Sequence, residues 1–138
     1  MICKKFFEVL LFFFLFVSLP VNAVEQASVS YDDVQIDYSI IDAYKTTVEA
    51  DKFFNYYLKT KDKQTLTTAA AKYYILTKKT PNDVYPFLQL ARAYDALGKD
   101  RLAKEYFSKA YNINNSNPYV SLYFGEYYYT RCKYAKYL

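Results

Sequence analysis

The sequence contains no histidine and no tryptophan, and it has only two glycines and two cysteines. Without histidine the chain lacks the commonest general base and the commonest zinc ligand. Two glycines, Gly98 and Gly125, stand too far apart to build a phosphate-cradling loop, which needs several close together. Asp and Glu are scattered, so no carboxylate pair for acid–base work can be discerned. Asp32, Asp33 and Asp37 lack the central Gly and closing Glu of a hand-type calcium loop and read as leader charges. Catalysis, a cofactor and a metal are therefore not expected. The net charge of +4 is mild and the two signs are interspersed, which implies no nucleic-acid partner.

What the chain does have is an apolar beginning. Lys4 and Lys5 precede a Phe- and Leu-rich run from Val9 through Val17. Pro20 breaks that run, and Val21-Asn22-Ala23 offers small residues where a signal peptidase pocket needs them. Residues 1–23 therefore read as a secretory signal peptide cleaved after Ala23. The alternative is an uncleaved anchor, which would be the chain's only tie to a membrane. The uncharged stretch between Glu8 and Glu25 is shorter than the roughly 20 residues a spanning helix prefers. Cleavage removes Cys3 and leaves Cys132 alone, so no intramolecular disulfide is expected. Cys132 reads as a small buried hydrophobe on a helix rather than a reactive thiol.

Residues 24–39 are polar and weakly alternating. They read as an extended or disordered leader, with a short strand as the alternative. From about Ile40 the apolar residues recur at helical steps: Ile41, Tyr44, Val48, then Phe53, Phe54, Tyr57 and Leu58. A turn is expected around Lys61. A second helix is expected from about Gln64 to Lys78, stopped by Thr80-Pro81. The third runs from an Asp83 N-cap to Leu97 and ends at Gly98. The fourth spans about Asp100 to Asn112. The fifth spans Pro118 to about Thr130, and a sixth opens near Lys133.

These segments repeat. Ala69 and Ala103 are 34 residues apart, as are Tyr73 and Phe107, Phe87 and Ser121, Leu90 and Phe124, Ala91 and Gly125, and Tyr94 and Tyr128. A fixed period of helix–turn–helix units is the signature of a solenoid. In the unit from Val84 to Asn115, large residues at Phe87, Leu90 and Tyr94 alternate with small ones at Ala91, Ala103 and Ala110, and Phe107 lies between. Small residues let helices approach, and large ones fill the space between units.

On those residues, with Gly98 at the turn, the chain resembles the tetratricopeptide repeat family. The resemblance covers roughly residues 50 to 138. It is weaker before Pro81, where Tyr57 and Thr60 replace the small residue and the Tyr. It implies an all-α fold of tandem antiparallel helix pairs forming a short right-handed α-solenoid. The domain would run over residues 40–138, with units at about 50–81, 84–115 and 118–138, the last incomplete. An incomplete last unit reads as a fragment, or as an end covered by a partner or by self-association through exposed aromatics.

The resemblance also implies a concave groove lined by the first helices of the units. Carried over by position, its residues are Tyr85, Leu88, Arg92, Asp95 and Ala96, then Tyr119, Leu122, Glu126, Tyr129 and Thr130. Within the run Tyr127-Tyr128-Tyr129, Tyr128 is expected in the core. The implied function is a non-catalytic protein-interaction scaffold, exported to the periplasm, cell envelope or extracellular space, that binds a partner peptide or helix. The alternative is an accessory repeat region of a larger envelope enzyme or assembly factor.

Overall fold

A computed structural model describes residues 36–135, and the helical unit begins at Asp37. The expected signal peptide at 1–23 and most of the 24–39 leader lie outside the described residues. Five α-helices follow one another: α1 (Ala43–Thr60), α2 (Lys63–Lys79), α3 (Val84–Ala96), α4 (Asp100–Ile113) and α5 (Pro118–Ala135). Among the described residues a 3-10 turn, Tyr38–Ile40, precedes them, and there is no strand. Lys79 Nζ donates to the Ser39 carbonyl at 3.0 Å and ties this turn to the end of α2.

Local chemistry sets the helix ends. Asp42, Asp62 and Asp83 are N-caps whose carboxylates accept backbone N–H groups of the first turn, such as Lys45 at 3.0 Å and Tyr85 at 2.9 Å. Each such cap contributes about 1 kcal/mol by satisfying a donor that the helix leaves open. Asn117 does the same for α5, accepting from the Tyr119 N–H at 3.0 Å. The α3–α4 turn needs a left-handed residue, and Gly98 supplies it with φ of 75° at no steric cost.

Each helix packs against its chain neighbours, so the molecule is a series of adjacent helix pairs, and α3 also touches α5. Ala50, Ala69, Ala91, Ala93, Ala103 and Ala110 are all fully buried. Their small side chains bring the helix backbones together, and aromatic rings fill the remaining space. Phe54 meets Tyr73 edge-on across α1 and α2, with 6.3 Å between ring centres. Phe107 of α4 stacks on Phe124 of α5 at 5.4 Å and touches Tyr127 at 5.3 Å.

Four expectations are corrected. Tyr44 and Val48 do not face the core; Tyr44 is 82 % exposed. The α1 face that meets its neighbours instead carries Ala43, Ala50, Phe53, Phe54 and Tyr57, one step around the helix. Tyr127, not Tyr128, is the core tyrosine of its run, at 2 % against 44 % exposure. Among the described residues α5 is covered only on the side of α3 and α4, and the Tyr128 ring lies at the edge of that contact, against Phe124 and Tyr127.

No sixth helix begins near Lys133, because α5 continues unbroken to Ala135. Gly98 can turn left-handed and end α3, whereas the residue 34 positions later is Cys132, whose Cβ disfavours that conformation. Cys132 is also exposed rather than buried, since it lies on the uncovered stretch of α5.

Candidate functional site

A groove of about 450 Å³ opens along one side of the helix series. Phe54, Tyr57 and Leu58 of α1 form one wall. Arg92, Asp95 and Ala96 of α3 run along the middle, and Phe107 of α4 reaches in from beneath. Tyr123, Glu126, Tyr127, Tyr129 and Thr130 of α5 form the far wall. Leu58, Arg92 and Glu126 are successive positions at the 34-residue period. The repeat in sequence thus becomes a row across three helices that share one surface.

Arg92 lies at the centre. Its guanidinium is 5.1 Å from the centre of the Phe54 ring and 4.0 Å from that of Tyr123. Contacts of this kind attract a cation to a ring face, by about 0.5–1 kcal/mol where exposed and more where water is excluded. Its Nη1 donates to Gln89 Oε1 at 2.8 Å. Among the described residues no carboxylate forms an ion pair with Arg92. The guanidinium is therefore held in place by rings and an amide, with donors left for an incoming group.

The charges at the α5 end are internally matched. Arg131 Nη2 donates to Asp95 Oδ1 at 2.8 Å, and its Nε donates to Asp100. The same guanidinium sits 3.5 Å from the centre of the Tyr127 ring, and the Tyr127 hydroxyl donates to Asp100 Oδ1 at 3.0 Å. The Arg131 and Tyr127 donors hold the Asp100 carboxyl below its usual range. Burial, then the Asp100 bond, pushes the Tyr127 hydroxyl up to about 12.

A second polar knot joins α1 to its neighbours. Asp51 Oδ1 accepts from the Tyr73 hydroxyl of α2 at 2.6 Å and from the Tyr85 hydroxyl of α3 at 2.9 Å. Burial, reinforced by Asp51, raises the Tyr73 hydroxyl and moves that of Tyr85 up to about 12. One carboxylate therefore stitches three helices together.

Of the residues expected in the groove, Arg92, Asp95, Ala96, Glu126, Tyr129 and Thr130 line it. Tyr85 is engaged with Asp51 outside the lining. Leu88 is corrected from groove to core: it is only 4 % exposed, because its side of α3 is closed by neighbouring helices. Tyr119 and Leu122 are exposed on α5 but outside the lining, with the Tyr119 ring stacked 6.5 Å from Tyr123. Phe54, Tyr57, Leu58, Phe107, Tyr123 and Tyr127 also line the groove, beyond the expected set. Extending the repeat back one period from Arg92 would have found Leu58, and one period on from Gln89 would have found Tyr123.

Among the described residues, no three His, Cys, Asp or Glu side chains cluster to hold a metal ion, and no helix is long and apolar enough to cross a membrane. Comparison with protein-family models, curated proteins and solved structures finds no match to this chain.

Proposed function

We propose that the chain is a non-catalytic interaction scaffold that holds a peptide or helix of a partner protein in the groove between α1, α3 and α5. In this reading the helix pairs form a short right-handed α-solenoid of the tetratricopeptide type, and the signal-like start directs the chain to the periplasm, the cell envelope or the exterior. The observation that carries the reading is the row Leu58, Arg92 and Glu126: one repeat position, taken three times, lines a single groove.

The lining suits recognition of a protein segment. Phe54, Tyr57, Tyr123, Tyr127 and Tyr129 offer broad apolar faces with polar tips, and Arg92 offers oriented donors. Tyr and Arg are the residue types that most often dominate binding energy at interfaces. The surface is also built in advance, since Arg92 and Arg131 are already fixed by their neighbours, so less ordering cost falls on the binding step.

The experiment is selection of a displayed peptide library on the immobilised chain, followed by affinity measurements on groove variants. Arg92→Glu and Tyr129→Ala should each weaken a selected peptide by about 2 kcal/mol, roughly thirtyfold. Peptides that bind both variants as tightly as the parent would place recognition elsewhere and remove the proposal.

A further inference from the structure

A second surface lies on α5, bordering the groove, whose lining includes Tyr129 one turn on from Gly125. In α3 the stripe Phe87, Ala91 and Tyr94 is covered by α4: Ala91 is fully buried, and the Tyr106 ring lies 6.3 Å from Phe87 and 5.6 Å from Tyr94. One period later the same stripe is Ser121, Gly125 and Tyr128, and all three are exposed. A Cβ built on Gly125 meets nothing within 4 Å. The position that in α3 is fully buried is, in α5, open space.

Among the described residues the neighbourhood of that opening is largely apolar, with Ser121 its polar member. Leu122 and Tyr128 flank Gly125; of the nearest α5 charges, Glu126 lines the groove and Arg131 is already paired with Asp95 and Asp100. The face is continuous with the established α4–α5 interface: Tyr128 packs 4.9 Å from Phe124, which stacks on Phe107 and also meets Tyr111 at 6.4 Å. An occupant would extend a buried aromatic seam that already exists rather than start a new one.

We propose that this face is a docking site for an amphipathic helix of a partner protein with small residues bracketing an aromatic. The chemistry is read from the chain itself. The helix that covers the equivalent stripe of α3 buries Ala103, Tyr106 and Ala110, with Tyr106 against Phe87 and Tyr94 while its Phe107 packs on α5, and it turns its Lys, Arg and Glu residues to solvent. The small residues let the occupant's backbone come close over Gly125, and the aromatic lies over Ser121 and Tyr128 as Tyr106 lies over Phe87 and Tyr94. A charged face would be left unpaired against this surface, which selects against most polar helices.

The test uses the full chain and a synthetic peptide with the α4 sequence, Asp100–Ile113, labelled and titrated by fluorescence anisotropy. The expected result is saturable binding at one peptide per chain. A peptide with Ala103 and Ala110 both changed to Glu should not bind. Gly125→Leu should weaken binding at least tenfold while leaving the helical circular dichroism intact, because the open space admits the side chain and Leu favours helix over Gly. The groove variant Arg92→Glu should bind the peptide normally, which separates this face from the groove.

Failure of the peptide to bind, or binding indifferent to Gly125→Leu, overturns the proposal. So does self-association of the parent chain that Gly125→Leu abolishes, which would make a second copy the occupant.

Discussion

The Tyr127 hydroxyl donates to the Asp100 carboxylate at 3.0 Å, joining the middle of α5 to the first turn of α4. That bond, with the Tyr127 ring against Phe107, sets the rotation of α5 and decides which of its tyrosines enter the groove. Removing the hydroxyl alone, in Tyr127→Phe, should cost about 1 kcal/mol, the ordinary value of one such bond. Tyr127→Ala should cost about 3–5 kcal/mol through lost burial and the cavity left behind. Urea unfolding of the two variants measures both. Equal small losses would mean that the ring is not a core element.

Equivalent positions in successive units should respond in opposite directions. Ala91 is fully buried between helices, so Ala91→Leu should destabilise by about 1–3 kcal/mol through overpacking. Gly125 occupies the same repeat position without a covering helix, so Gly125→Ala should stabilise by up to about 1 kcal/mol through helix propensity alone. Thermal melts of the pair check the sign of each change.

Stability should fall at both ends of the pH scale, for different groups. Tyr85 and Tyr127 titrate near 12 when folded, above the ordinary tyrosine value of about 10. Their contribution is therefore complete below about pH 10 and is lost as pH rises through about 12. Asp100 is held below the ordinary carboxyl value of about 3.9, so its contribution is present above that value and disappears as pH falls beneath it. Denaturant midpoints taken across the range should be flat near neutrality. Tyr85→Phe should soften the alkaline fall, and an unchanged alkaline limb would contradict the assignment.

Export carries its own check. If residues 1–23 act as a cleaved signal, mass spectrometry of the chain recovered from the envelope or medium should show Val24 at its start. A recovered chain that still begins at Met1 would instead support an anchor.

Much of the helical layout was legible because it rests on local chemistry. The Asp83 cap, the Gly98 turn and the Pro81 stop act within a few residues, and the buried pairs Ala69 and Ala103, and Tyr73 and Phe107, show as a period in the sequence. What escaped depends on which faces have neighbours. Tyr127 and Tyr128 are identical in composition, and only the position of α4 makes one core and the other surface. Tyr44 and Val48 follow a helical step, yet the covered face of α1 is the adjacent one. Leu88 shares its helix with Arg92 but not its side.

The most direct measurement is amide chemical-shift mapping of the chain with a library-selected peptide bound. Perturbations should concentrate on Leu58, Arg92, Asp95, Glu126 and Tyr129, the row drawn from three helices. Perturbations confined to the outward sides of α2 and α4, around Tyr74 and Lys104, would contradict the scaffold account.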